Sequence, residues 1–119
     1  MKEIKNKDWR AFCQKLNEHE GGGTVTIEVI DHDGATREIA KHAAFEEISF
    51  GKRDACNDQI SIRNHDSNHD VIEPIHVMLR ETEGGAGFNS VLIEAEAGIT
   101  VLTFQPVIRK TWLEGLDLR

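Results

Sequence analysis

Apolar and polar residues alternate with two different periods along this chain, and the change of period divides it. Between residues 7 and 19, Trp9, Phe12, Cys13 and Leu16 recur at i, i+3, i+4 and i+7, which places them on one stripe of an α-helix. Asn6 stands where it can cap that helix, and Asp8 suits the positive end of its dipole. Gly21-Gly22-Gly23 ends it. From Thr24 the period falls to two, with Val25, Ile27 and Val29 on one side of a strand. Asp31-His32-Asp33-Gly34 is a hairpin turn leading to a return strand, 35–40, anchored by Ile39 and with the charged character of an edge at Arg37 and Glu38. His42-Ala43-Ala44 fits a short helical turn as well as a strand. Two further strands follow, 45–51 with Ile48 and Phe50 on one face, and 58–63 with Ile60 and Ile62 inward. The segments 52–57 and 64–70 have loop composition.

From Val71 to Pro106 three β-branched runs are separated by two glycine-bearing turns, the pattern of an antiparallel meander. A five-residue loop from Glu83 to Gly87 sets Thr82 opposite Phe88, Leu79 opposite Val91 and Val77 opposite Ile93. A three-residue turn, Glu96-Ala97-Gly98, sets Ala95 opposite Ile99, Ile93 opposite Val101 and Leu92 opposite Leu102. A two-residue Ala97-Gly98 turn, the alternative, pairs Ile93 with Leu102, but Ala97 resists the positive φ it needs. The preferred register leaves an apolar row on each face: Val77, Ile93 and Val101 on one, Met78, Leu92 and Leu102 on the other. Both faces are then expected to be covered, one by the helix and one by more sheet.

These elements predict an α+β fold: an N-terminal helix, about 7–19, packed on a bent, mainly antiparallel sheet or partly open barrel of about six to seven strands, about 24–106. The remainder, 107–119, reads as a short helix or a tail packing through Trp112. The length of 119 residues suits a single domain, 1–119.

Charge narrows the partners. Fourteen Lys and Arg stand against 21 Asp and Glu, a formal net charge of −7, with no basic run. Such a surface repels phosphate backbones and anionic membranes, so neither nucleic acid nor a membrane is expected. No apolar stretch has the length of a membrane span, and Met1 to Lys5 lacks the apolar core of a secretory signal. Cys13 and Cys56 lie far apart without a spacing motif, which reads as free thiols in a reducing cytoplasm.

Reactive constellations are sparse. His65, His69 and Asp70, with His76 on the next strand, are the metal-ligand candidates, yet histidines four apart share a side only in a helix. His76 and Glu94 fall opposite each other, which suits a cross-strand ion pair. The glycine clusters lack the lysine and the helix start of a phosphate loop. The expectation is therefore no catalytic residue, no metal and no cofactor.

Asp8-Trp9-x-x-Phe12 before a glycine break, then Val25-Thr26-Ile27-Glu28-Val29, Glu47-Ile48-Ser49-Phe50, Ile60-x-Ile62, His69-Asp70-Val71-Ile72-Glu73-Pro74-Ile75, Gly98 and Leu102-x-Phe104, make up a set of structural motifs over about residues 6 to 106. In these the chain resembles a family of short bacterial proteins of unknown function. That family has a more apolar segment where this chain has His42-Ala43-Ala44-Phe45. The resemblance implies a cytosolic bacterial domain and carries over no functional residue.

The function expected is a non-catalytic domain that binds a protein partner or a second copy of itself, with Met78, Leu92 and Leu102 as the interface row. The alternatives are a small metal-dependent hydrolase using His65, His69, Asp70 and His76, and a binder of a small ligand in the barrel interior.

Overall fold

A computed structural model describes residues 1–52 and 57–119. The turn expected around Cys56 lies outside the described residues. The chain forms β1 (Lys2–Ile4), α1 (Trp9–His19), β2 (Thr24–Asp31), β3 (Thr36–Lys52), β4 (Asp58–Asn64), β5 (Asn68–Ile72), β6 (His76–Glu81), β7 (Gly87–Ala95) and β8 (Gly98–Arg109). The eight strands of the described residues join one open antiparallel sheet in the order β1-β6-β7-β8-β2-β3-β4-β5. The expected class, a helix on a bent antiparallel sheet, is the observed one.

The helix begins one short 3₁₀ turn later than expected. Asn6 opens that turn, and Asp8 holds the N-cap position. The Asp8 carboxylate is used elsewhere, accepting from the backbone N–H of Asp117 at 3.0 Å. Trp9, Phe12, Cys13 and Leu16 are all buried, as their spacing requires. The Trp9 indole donates to the Ile4 carbonyl at 2.9 Å, and its ring meets Phe50 edge to face.

The sheet folds over on itself at β3. Residues 36–44 of β3 pair with β2, and residues 45–52 pair with β4. The corner is a bulge: Val25 faces Ala43 while Ile27 faces Ala40, so Lys41 and His42 share the space opposite Thr26. His42 takes a φ of 47°, and its N–H donates to the Thr26 hydroxyl. His42-Ala43-Ala44 is thus neither helix nor plain strand but the bend that joins two expected strands into one.

Elsewhere the expected meander is cut differently. Glu73, at a φ of 52°, breaks the run 71–80, so Val71 and Ile72 belong to β5 and His76–Glu81 to β6. The loop of 64–70 shrinks to a turn, because Asn68, His69 and Asp70 are strand residues. The register Val77↔Ile93 and Leu79↔Val91 is found, but a bulge at Asn89 puts Glu81, not Thr82, opposite Phe88. The last turn contains only Glu96 and Ala97, giving Ala95↔Gly98, Ile93↔Thr100, Leu92↔Val101 and Val91↔Leu102. Neither expected register occurs. Gly98 is held against β2, where a Cβ would collide with the Ile30 carbonyl, and this contact fixes the frame. β8 continues through a cis Gln105-Pro106 bond to Arg109, followed by a 3₁₀ turn. Trp112 there stacks on His19.

The core is one cluster between the inner face of β6-β7-β8-β2 and a cover made of both α1 and the β3-β4-β5 half. Phe45 meets Phe104 edge to face across it. Helix and second half-sheet therefore cover the same face, not opposite faces. The outer row, Met78, Leu92 and Val101, lies outside that cluster and is bracketed by Glu3 and Glu28.

Candidate functional site

Two strands end the sheet, and they are finished differently. The free side of β1 is closed by Arg119: Glu3 and Arg119 exchange both backbone hydrogen bonds, at 3.0 and 2.9 Å. Among the described residues, the free side of β5 carries no strand. Its hydrogen-bonding parity follows from the turn at either end. The Asn64 N–H donates to Ser67 and the Glu73 N–H to Asp58, so residues 67, 69, 71 and 73 bond toward β4. The N–H and C=O groups of Asn68, Asp70 and Ile72 then point away from the sheet, and among the described residues they have no backbone partner. All three residues are exposed.

Beside this edge is an open cavity of about 200 Å³, lined by β5 residues 69–72, by Val29, Asp31 and Arg37, and by Ala95, Gly98 and Thr100. It is the gap left where the bent sheet fails to close into a barrel. His69 and Val71 face it from the inner side of β5, since they pair with the buried Ile62 and Ile60. The His69 Nε2 lies 3.2 Å from the Thr100 hydroxyl. Burial pulls the His69 pKa below the usual imidazole value, with Arg37 adding to the fall and Asp70 opposing it. Ile72, at 37% exposure, is an exposed apolar residue of its lining.

The expected metal-ligand set does not converge. His65 is in the β4-β5 turn, His69 faces the core, and Asp70 faces the other side of β5. His76 is on the outer side of β6, its Nδ1 2.7 Å from Glu3. That bond raises the His76 pKa, with the Glu3 and Glu94 charges acting the same way against desolvation. His76 does fall opposite Glu94, but its ion-pair partner is Glu3. Among the described residues, no three His, Cys, Asp or Glu side chains group as metal ligands.

The expected interface row is also redrawn. Leu102 is fully buried on the core face, and Val101 takes its place on the outer one. Met78 is half-buried, while Leu92 and Val101 are each only 7% exposed, so a partner would gain little apolar area from them.

Sequence reasoning missed the β5 edge, Arg37 and Glu20. Residues 64–70 read as a loop, which hid a strand whose signal is only the two-residue step from His69 to Val71. Glu20, at the end of α1, is fully buried with neither carboxylate oxygen hydrogen-bonded among the described residues. Burial pushes its pKa up to about 7. It does not line the cavity at β5. Cys13 behaves as the small hydrophobe its stripe predicts: buried, with its thiol pKa pushed to about 12. Among the described residues, no helix is long and apolar enough to cross a membrane.

Comparison with known proteins gives one result. No curated protein matches the chain, and no solved structure does. A model of a family of unknown function, DUF5335, matches residues 1–109, from β1 to the last residue of β8, and the chain belongs to that family.

Proposed function

We propose that this chain is a non-catalytic, cytoplasmic bacterial protein-interaction domain that receives an extended segment of a partner on the free edge of β5. One observation carries the reading: the outward backbone groups of Asn68, Asp70 and Ile72 lie beside an open cavity that the exposed Ile72 helps to line. Strand addition takes its affinity from such unpaired main-chain groups and its selectivity from pockets for alternate side chains. The cavity is below the roughly 300–1,000 Å³ of small-molecule pockets, so it is read as the seat of a side chain. The buried, free Cys13 thiol supports a reducing compartment. The whole of 1–119 is treated as one domain.

Amide hydrogen exchange tests the edge directly. The N–H groups of Asn68, Asp70 and Ile72 should exchange at least about a hundredfold faster than those of His69 and Val71 on the same strand. Equal protection on both parities would mean the edge is already occupied, and the reading would be withdrawn.

A further inference from the structure

Resting on that reading, we infer that the occupant of the β5 edge is a positively charged extended segment of another protein, with basic side chains on one face and small apolar ones on the other. The alternation is set by β5 itself. A strand added to it sends the side chains opposite His69 and Val71 toward the cavity, and those opposite Asn68, Asp70 and Ile72 to the outer face. The first set meets Val29, Val71 and Ala95, which suits a valine-sized group. The second meets Asp70.

Charge decides the rest. Asp31 lines the cavity, Asp70 lies on the outer face of β5, and Glu73 and Glu96 border the adjoining hollow next to Ile72. None of these four carboxylates forms an ion pair with a described residue. Arg63, on the neighbouring strand, is engaged by Glu46 and Glu47 instead of Asp70. Among the described residues Arg37 stands against Asp31 in the cavity lining, which leaves Asp70, Glu73 and Glu96 as the uncompensated charges along the edge. A second copy of this chain fits poorly. Antiparallel pairing of two β5 strands in their fully overlapped register would set Asp70 against Asp70, between two molecules that each carry −7. A basic strand reverses both terms.

The test uses the full chain labelled with nitrogen-15 and two short capped peptides, one alternating lysine with valine and one alternating glutamate with valine. The lysine peptide should shift the amides of Asn68, Asp70 and Ile72, and its affinity should fall by about tenfold between low and physiological salt. Asp70→Asn should weaken it severalfold at low salt. Asp70→Pro, which removes only an outward N–H, should abolish it. Thermal unfolding of the proline variant shows whether it is folded; if it is not, Asp70→Asn and the salt series decide. Equal binding of the glutamate peptide, or affinity independent of salt, would overturn the charge assignment while the edge stands. A dimer built through β5 would overturn the choice of a foreign strand. Shifts at none of residues 68–72 with either peptide would overturn the edge reading itself.

Discussion

The side-chain amide of Asn17 on α1 pairs with both backbone groups of Ile48 on β3, accepting from its N–H at 2.8 Å and donating to its carbonyl at 2.9 Å. At Ile48 the other side of β3 is paired with β4, so Asn17 stands in for a missing strand. Asn17→Ala should cost about 1–3 kcal/mol in urea unfolding, because it strands two main-chain groups at a partly buried site. A loss within error of zero would mean water replaces the amide.

Glu20 makes stability fall as pH rises. Its folded pKa of about 7 lies above the ordinary 4.5. Below pH 4.5 both states hold the proton and the group is neutral to stability. Between 4.5 and 7 the unfolded chain releases it first, so the folded state loses ground, by roughly 3 kcal/mol once both have ionised. Glu20→Gln should remove this slope. Chemical denaturation at a series of pH values reads it, and an unchanged slope in the variant would assign the effect elsewhere.

The two strand histidines work in opposite directions. His69, with its pKa lowered, contributes stability that is present above the unfolded imidazole value of 6.5 and lost as pH falls through its folded pKa. His76, with its pKa raised, contributes below 6.5, and that contribution disappears as pH rises through its own folded value. Imidazole NMR titration should place His69 below 6.5 and His76 above it. Glu3→Gln should bring His76 down and leave His69 unmoved.

Gly98 and Gly34 both carry positive φ, 147° and 91°, but only Gly98 is pressed against a neighbouring backbone. Gly34→Ala meets open space and should cost about 1 kcal/mol from the dihedral alone. Gly98→Ala drives a methyl into the Ile30 carbonyl and should cost clearly more than that. Parallel urea titrations of the two variants compare them, and equal losses would place the register constraint outside the β2-β8 contact.

What the sequence determined by itself was everything decided by short-range periodicity. The stripe of Trp9, Phe12, Cys13 and Leu16 needs only the pitch of a helix. The β6-β7 register from Val77↔Ile93 to Leu79↔Val91 follows because a strand's side chains alternate and a slip would expose the apolar set. Alternation tells which residues share a face, but not which face is covered. Only the tertiary structure decided that. The approach of β2 to Gly98 moved the β7-β8 pairing by one residue, and one residue exchanges Leu102 for Val101 between core and surface. β1 exists because β6 and Arg119 supply partners on both its sides; its own three residues carry almost no signal. The bend at His42 carried β5 across the inner face and left its far edge beside a gap. An unfilled edge is made by strands that are absent, which is why no local pattern of residues could announce it.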